Sequence, residues 1–136
     1  MTAGYSKRSL ADKLGIKPGT RIIALGAPPN YAKLLGPLPQ GGSISTRIAR
    51  PAGFVHQFVT QRSELERAFP SIDAALIDAG TVWISWPKKA SGVATDLTED
   101  VIREVGLPLG LVDVKVCAVD EVWSGLKFVR RKEKRG

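Results

Sequence analysis

The sequence predicts an α/β fold with a mainly parallel sheet, helices on both faces of that sheet, and an antiparallel hairpin at its C-terminal end. Short apolar runs rich in β-forming residues alternate with helical segments that start at capping residues. This alternation is typical of parallel sheets, because each parallel connection needs a crossover that a helix usually supplies. Only a short turn separates the last two apolar runs, which favours a closing hairpin.

Apolar periodicity predicts the strands. We expect them at residues 21–26, 54–60, 81–86, 111–122 and 126–131. Ser124 and Gly125 are predicted to form the turn of the closing hairpin. Residues 43–49 are a further β-rich segment, but the four residues 50–53 that follow are too few for a parallel crossover to the next strand. We therefore expect this segment either to form an antiparallel hairpin with residues 54–60 or to be irregular edge structure.

Capping residues predict where the helices begin and end. Four segments start with a Ser, Asn or Asp cap, and in three of them an acidic residue follows three positions later. These caps are Ser9, Asn30, Ser63 and Asp96. Glycines stand where the four helical patterns stop, at Gly15, Gly36, Gly80 and Gly106. Pro70 is predicted to break the third helical segment or to make it restart.

Length and charge predict one domain with a basic tail. The chain has 136 residues, of which 43% are hydrophobic, so we expect a single α/β domain over residues 1–131. The formal net charge is +7, and residues 130–136 hold five basic residues and one acidic residue. We expect the tail, residues 132–136, to give at most weak, non-specific and salt-sensitive nucleic-acid binding, since no aromatic residue stands among its bases.

The cysteine content and the apolar pattern predict a cytoplasmic protein. A single cysteine, Cys117, leaves no internal disulfide and suits a reducing compartment. The N-terminal residues lack the apolar run of a secretory signal, and no apolar run approaches the roughly 20 residues that span a bilayer. We therefore expect no membrane association, and the sequence leaves the oligomeric state open.

The loop after the strand at residues 81–86 is the strongest candidate for a ligand site. It runs from the carboxyl end of a buried strand to a helix start, where lysines and backbone N–H groups can hold an anion. The candidate ligand-binding residues are Lys88, Lys89, Ser91, Gly92 and Thr95, with Asn30 and Tyr31 across the crevice. The pattern indicates a site for a phosphate-bearing small molecule or a nucleotide. A solvated loop with an ordinary helix cap is the alternative.

Other reactive residue types favour structural interpretations. His56, the chain's single histidine, stands in the middle of a predicted strand and is expected to be a core or edge residue with satisfied hydrogen bonds. Cys117 is expected to behave as a small buried hydrophobe, because no second histidine is present to activate it. No Cys/His spacing fits zinc, and no serine elbow is present. The sequence therefore yields no catalytic residue, no metal site and no identified cofactor.

Two stretches carry a resemblance to known families. LGIKPGTRIIALGAP at residues 14–28 and IDAALIDAGTVWISWPK at residues 72–88, with a terminal hairpin, resemble a shortened class I S-adenosylmethionine-dependent methyltransferase, a Rossmann-like fold. The stretch WPKKASGVATDLTEDVIREVGLPLGLVDVKVCAVDEVWSGLKFV is also similar to a small uncharacterised bacterial family of unknown function. The first resemblance implies the fold, and the second implies no activity.

The cofactor motif of the methyltransferase family is not reproduced. Of its glycine-rich first loop only Gly26 is present, followed closely by Pro28 and Pro29, which lack backbone donors. Arg47 and Arg50 stand where the family carries an acidic residue for the ribose hydroxyls. We therefore expect a non-catalytic binding module that does not bind S-adenosylmethionine tightly. The alternative is a reduced S-adenosylmethionine-dependent transferase.

Overall fold

The computed structural model describes residues 9–131, and over this range six strands form one mixed sheet in the order β2-β1-β3-β4-β6-β5. The strands are β1 Arg21–Leu25, β2 Ser43–Ser45, β3 Ala52–Phe58, β4 Leu76–Pro87, β5 Leu111–Ala118 and β6 Trp123–Arg130. The first four strands are parallel, and β6 pairs antiparallel with both β4 and β5. The prediction of a mainly parallel sheet with a closing hairpin is confirmed.

Helices cover both faces of the sheet. They are α1 Leu10–Leu14, α2 Tyr31–Leu35, α3 Arg62–Ala75 and α4 Glu99–Gly106, with 3-10 turns at Lys89–Ser91 and Leu107–Leu109. α1 and α2 pack on one face, where Leu14, Leu35 and Trp83 are buried together. α3 and α4 pack on the other face, where Phe69 and Ile102 belong to the larger core. Successive strand residues point to alternate faces, so each inner strand feeds both cores.

The short strand β2 corrects the expectation for residues 43–49. It covers Ser43–Ser45 only and pairs parallel with β1, with Arg21 opposite Ser43. β2 and β3 lie on opposite sides of β1, so they are not neighbours. Residues 46–51 connect β2 to β3 past β1, and they contain no helix. The antiparallel hairpin is wrong, whereas the expectation of irregular edge structure holds in part, because β2 lies at the edge of the sheet and residues 46–49 are irregular.

The closing hairpin turns earlier than predicted. β5 ends at Ala118 and β6 begins at Trp123, so the turn lies around Asp120 and not at Ser124 and Gly125. The Asp120 carboxylate accepts the backbone N–H groups of Val122 and Trp123 at 2.9 and 2.8 Å. An aspartate that binds its own backbone two and three residues ahead stabilises a turn. Gly125 instead lies inside β6, where a Cβ would stand 3.1 Å from the Trp83 ring.

The third helix and the strand after it also differ from the prediction. α3 continues through Pro70 without a break and ends at Ala75. β4 already begins at Leu76, which pairs with Ala52, so the predicted helical segment up to Gly80 is wrong. Ile77, Asp78 and Ala79 are exposed, because the ladder between β3 and β4 is irregular there and resumes at Thr81. The apolar residues that are spaced like those of a helix therefore lie in the first part of β4, which is bulged.

The helix caps agree only in part with the sequence. The Ser9 hydroxyl accepts the N–H of Asp12 at 3.2 Å, and Gly15 ends α1 with a φ of 78°, as predicted. Asn30 precedes α2 but makes no side-chain cap hydrogen bond. Two caps are different residues from those predicted: Gln61 precedes α3 in place of Ser63, and Thr98 caps α4 in place of Asp96. The Thr98 hydroxyl accepts the N–H of Val101 at 3.2 Å.

Arg130 stands among the basic residues of the C-terminal end in the sequence, but in the structure it is bound to the folded domain. Its guanidinium donates to the Asp73 carboxylate at 2.5 Å and to the carbonyls of Asp73 and Leu76 at 2.8 Å. The expected basic tail, residues 132–136, lies outside the described residues. Within residues 9–131, no helix has both the length and the apolar character to cross a membrane.

Candidate functional site

The loops after β3 and β4 meet at the carboxyl edge of the sheet. The Thr95 hydroxyl donates to the Thr60 carbonyl at 2.5 Å, and an Asp96 carboxylate oxygen accepts the N–H of Arg62 at 2.7 Å. These two bonds join the loop after β4 to the start of α3. Parallel strands bring their following loops to one edge, which is why the sequence predicts this meeting.

The carboxyl edge of the sheet is tightly packed at the point where the strand order reverses. There β1 has β2 on one side and β3 on the other, and its last turn passes through Gly26 with a φ of 67°. A Cβ at Gly26 would lie 2.9 Å from the Phe58 carbonyl oxygen, and the Gln57 side chain donates to the carbonyls of Leu25 and Phe58 at 3.3 and 3.0 Å. Gly26 thus permits a close approach of two backbones. Clefts open on either side of this contact.

The larger of these clefts, which we call the β4 cleft, lies over the carboxyl end of β4 and has a volume of about 710 Å³. Four predicted site residues line it: Lys88, Lys89, Gly92 and Thr95. Apolar groups from Trp86, Val93 and Leu97 form part of its wall, and Thr98 and Ser124 add hydroxyl groups. The cleft therefore combines an apolar surface with cationic and hydroxyl groups.

Hydrogen bonds within the loop preform this side of the β4 cleft. The Ser91 hydroxyl donates to the Lys88 carbonyl at 2.6 Å and accepts the N–H of Val93 at 3.1 Å. The N–H groups of Ser91 and Gly92 bond to the carbonyls of Lys88 and Lys89 at 3.0 and 3.4 Å. These amides, which the sequence analysis assigned to the ligand, thus stabilise the turn. The lysine side chains make no ion pair with any described residue.

Gly92 and Thr95 have structural roles in the same loop. Gly92 adopts a φ of 77°, and a Cβ there would meet no atom within 4 Å. The glycine is needed for the left-handed turn, and it also leaves the approach to the loop open. Thr95 uses its hydroxyl as donor to Thr60 and as acceptor for the N–H of Leu97 at 3.0 Å.

The acidic residue of the β4 cleft forms an ion pair with an arginine. The Glu99 carboxylate pairs with Arg103, which also contacts Asp100 at 2.9 Å and Asp113 at 2.8 Å. These hydrogen bonds, first those to Asp113 and Glu99, raise the pKa of Arg103 above its ordinary value. Arg103 is shared among three carboxylates, so it balances the charge of Glu99 in part, and Lys88 and Lys89 are the cationic residues of the lining.

The smaller opening, which we call the β1 cleft, lies between the carboxyl ends of β1 and β2 and measures about 390 Å³. Its lining residues are Ala24, Gly26, Ala27, Pro28, Pro29, Tyr31, Ala32, Ile44 and Thr46. Tyr31 thus lines this cleft and not the β4 cleft, and Asn30 is exposed and lines neither of the two. The structure does not bring Asn30 or Tyr31 to the lysine loop, and no carboxylate is among the lining residues of the β1 cleft.

A chain of hydrogen bonds joins three buried side chains whose proximity the sequence pattern does not predict. The Tyr31 hydroxyl lies 2.8 Å from His56 Nδ1, and His56 Nε2 lies 2.7 Å from the Ser85 hydroxyl. His56 and Ser85 are fully buried, and the Phe58 ring stacks on the imidazole at 4.3 Å. Burial lowers the pKa of His56 to about 3 and raises the pKa of Tyr31. The prediction of a core or edge histidine with satisfied hydrogen bonds is confirmed.

The remaining reactive groups have no catalytic arrangement. Burial raises the pKa of the half-buried Cys117 thiol, which keeps it protonated at neutral pH. In the described part of the chain, no three His, Cys, Asp or Glu side chains come close enough to hold a metal ion. The carboxyl edge presents cationic and hydroxyl groups next to an apolar surface.

Solved structures with a similar fold include an S-adenosylmethionine-dependent methyltransferase and two fibrillarins. A methyltransferase of this class from Aquifex aeolicus matches with a TM-score of 0.63 and 12% identity, over 88% of this chain and 86% of its own. Fibrillarin from Aeropyrum pernix, solved with natively bound S-adenosylmethionine, matches with a TM-score of 0.60 and 15% identity, over 93% and 70%. Fibrillarin from Methanococcus jannaschii, a pre-rRNA processing protein, matches with a TM-score of 0.59 and 14% identity, over 92% and 74%.

Sequence comparison adds no family. No protein-family model matches the chain, and a search of curated proteins finds no match. The similarity to a small bacterial family of unknown function thus stays an expectation. At identities of 12–15%, the structural likeness establishes the fold and does not transfer a ligand or a reaction. The chain has a methyltransferase-like α/β fold.

Proposed function

We propose that this protein is a non-catalytic binding module of methyltransferase-like fold, which holds a phosphate-bearing small molecule or a nucleotide in the β4 cleft. The observation that carries the proposal is the pair Lys88 and Lys89 at the mouth of a cleft of about 710 Å³, without an ion-pair partner among the described residues. Ammonium groups bind phosphate oxygens as point charges and need no fixed fork geometry.

The other lining groups fit the remaining parts of a nucleotide. Val93, Ala94 and Leu97 offer an apolar surface on which a base or another planar group can pack. The hydroxyls of Thr98 and Ser124 can donate to phosphate or sugar oxygens. The preformed turn at Ser91 lowers the entropic cost of binding, because the loop is ordered by its own hydrogen bonds.

Charge distinguishes this ligand from the cofactor of the structural neighbours. S-adenosylmethionine carries a positively charged sulfonium, whereas this chain has a formal net charge of +7 and two lysines at its larger cleft. A cationic surface raises the local concentration of anions and repels cations. Neither cleft offers an acidic side chain outside an ion pair among its lining residues. These charges favour an anionic ligand.

A reduced S-adenosylmethionine-dependent transferase is the second candidate. The observation in its favour is the likeness to methyltransferases, one of them solved with natively bound cofactor. On this alternative the cofactor would lie in the β1 cleft, with the backbone near Gly26 and the side chains of Tyr31 and Thr46 around it. The comparisons favour this candidate, whereas the charges and the size of the β4 cleft favour the anionic ligand.

Thermal unfolding in the presence of ligands tests the two candidates together. The ligands are inorganic phosphate, adenine nucleotides, S-adenosylmethionine and S-adenosylhomocysteine, each at the same ionic strength. A ligand that binds only the folded state raises the unfolding temperature, by an amount that grows with the ratio of its free concentration to its dissociation constant. We expect a nucleotide to raise it and S-adenosylmethionine to leave it unchanged.

Two variants identify the site. Lys88→Ala/Lys89→Ala should abolish the nucleotide-dependent shift and leave the unliganded protein within about 0.5 kcal/mol of the wild type, since exposed charges contribute little to folding. Arg67→Ala/Lys33→Ala removes the same charge from exposed helix positions and should keep the shift. A double lysine variant that retains the full shift would refute the β4 cleft as the site.

A further inference from the structure

Two lysine side chains of the sheet reach the end of α1, where two further lysines stand, away from the β4 cleft. Lys115 of β5 stands directly opposite Lys127 of β6 in the ladder. The Lys115 ammonium donates to the Lys13 carbonyl at the end of α1 at 3.3 Å. A Cβ at Gly15 would lie 3.9 Å from the Lys127 ammonium nitrogen, so this side chain reaches the turn that leads to Lys17. We call Lys13, Lys17, Lys115 and Lys127 the lysine cluster.

The lysine cluster places like charges next to one another. Like charges directly opposite on neighbouring strands repel each other, as Lys115 and Lys127 do. Burial, followed by the charges of Lys115 and Lys17, lowers the pKa of Lys127. The carbonyls at the end of α1 offset part of this repulsion, because a helix C-terminus attracts cations, but α1 has only five residues.

Acidic residues are scarce in the segments that form the cluster. Residues 13–21, 114–118 and 123–130 contain no Asp or Glu. Asp12 precedes the first of these segments. Asp113 of β5 is bonded to Arg103 on the opposite face of the sheet. The positive charge of the cluster is therefore larger than its own acidic neighbours can balance.

Space for a ligand lies next to the cluster. A cleft of about 390 Å³ opens at the amino ends of β1, β3 and β4, and Gly15, Lys17 and Arg21 line it. Thr20 and Thr81 add hydroxyl groups to its wall. This opening is at the opposite edge of the sheet from the β4 cleft, because parallel strands have distinct amino and carboxyl edges.

We propose that the lysine cluster is a second anion-binding site, which takes a phosphate group carried either by a small molecule or by the backbone of a nucleic acid. The ammonium groups of Lys115 and Lys127 both reach the C-terminal end of α1, which suits a compact anion with two or more negative charges better than a single carboxylate. Bound phosphate would remove the repulsion between Lys115 and Lys127, so binding and folding stability are coupled at this site.

A ¹H–¹⁵N NMR titration with sodium pyrophosphate at constant ionic strength tests this site separately from the β4 cleft. The signals of Gly15 and Lys127 report on the lysine cluster, and that of Gly92 reports on the β4 cleft. We expect Lys115→Gln/Lys127→Gln to weaken binding at Gly15 at least about tenfold and to leave binding at Gly92 unchanged. Lys88→Ala/Lys89→Ala should do the reverse.

Stability without ligand provides a second readout. Lys115→Gln/Lys127→Gln should unfold at a higher temperature than the wild type in phosphate-free buffer, because it removes the like-charge pair. If the lysines serve only to cap α1, the same variant should unfold at a lower temperature. Lys17→Gln, an exposed loop substitution, is the second variant should the double variant not fold, and it should also weaken pyrophosphate binding at Gly15.

A short single-stranded oligonucleotide distinguishes the two sources of phosphate. A nucleic-acid site should shift the Gly15 and Lys127 signals at oligonucleotide concentrations well below those needed of pyrophosphate, with strong salt dependence. A small-molecule site should respond to pyrophosphate more strongly. Unmoved Gly15 and Lys127 signals with both ligands, or equal shifts in Lys115→Gln/Lys127→Gln and the wild type, would overturn the proposal.

Discussion

An Asp96 carboxylate oxygen accepts the backbone N–H of Arg62, the first residue of α3, at 2.7 Å. A residue that precedes α4 thus caps α3, and the loop after β4 is held against the corner after β3. Thr95 supports the same arrangement through its bond to the Thr60 carbonyl. The position of the lysine loop therefore depends on contacts between two crossover connections that lie 34 residues apart in the sequence.

This relationship predicts an effect of Asp96 on stability. Asp96→Ala should lower the free energy of unfolding by about 1 kcal/mol, because it removes a cap from a helix N-terminus. Thr98→Ala, which removes the cap of α4, should cost a similar amount. Urea unfolding measures both, with Glu121→Ala, an exposed acidic residue of the hairpin turn, as the control. A loss for Asp96→Ala no larger than that for Glu121→Ala would show that the capping bond is unimportant.

Gly26 and Gly92 form a matched pair for testing the close approach at the carboxyl edge. Both have a positive φ, of 67° and 77°, but only Gly26 faces a nearby atom, the Phe58 carbonyl oxygen. Gly92→Ala should cost about 1 kcal/mol from its backbone conformation alone. Gly26→Ala should cost roughly 2 to 3 kcal/mol, since the steric contact adds to the same strain. Equal losses in urea unfolding would argue against the tight contact between β1 and β3.

His56 predicts a pH dependence of stability. Its pKa is about 3 in the folded state and near 6.5 in the unfolded chain, so the unfolded state binds the proton first as the pH falls. Its contribution is complete above about pH 6.5 and is lost progressively towards about pH 3. Between about pH 6.5 and about pH 5 the free energy of unfolding should fall by roughly 1.5 kcal/mol.

The single histidine makes this prediction easy to check. Urea unfolding at several pH values gives the slope, and the imidazole signals in NMR give the protonation state directly. Those signals should keep the chemical shifts of the neutral ring down to about pH 5. Titration of the folded-state signals near pH 6.5 would contradict the burial of His56 between Tyr31 and Ser85.

The basic tail predicts a salt-dependent interaction of its own. Deleting residues 132–136 should weaken any binding to nucleic acid about equally for all sequences and reduce its dependence on salt, because the tail contacts only phosphates. Filter-binding measurements with unrelated oligonucleotides at two salt concentrations test this. Binding that discriminates among sequences, or that survives the deletion unchanged, would contradict the expectation.

Local sequence patterns predict much of the fold, because strands and helix caps depend mainly on residues that are close together in the sequence. The apolar runs of β1, β3 and β4 and the caps at Ser9 and Gly15 depend on neighbouring residues, and these predictions are confirmed. The hairpin turn was misplaced because Ser124 and Gly125 are good turn residues, yet the Asp120 carboxylate forms a competing turn nearer β5. Such a competition is decided by the register of the two strands, which local propensity does not contain.

The candidate site depends more on tertiary structure. The lysine loop was predicted because it follows a strand, and the structure places Lys88 and Lys89 at a cleft. The separation of Tyr31 from that cleft was not predictable, because it depends on the chain of hydrogen bonds through His56 to Ser85. Strand alternation suggests which face His56 occupies, but only the pairing of β3 with β4 brings Ser85 beside it.

Calorimetric titration of adenosine diphosphate and of S-adenosylmethionine, each into wild type and Lys88→Ala/Lys89→Ala, tests the central claim most directly. The claim is that the β4 cleft binds an anionic ligand and that the chain has lost the cofactor of its structural neighbours. We predict that adenosine diphosphate binds wild type, that its affinity falls at least about tenfold in the double variant, and that S-adenosylmethionine gives no micromolar binding. Micromolar S-adenosylmethionine binding to both proteins, without binding of adenosine diphosphate, would contradict the claim and support the transferase.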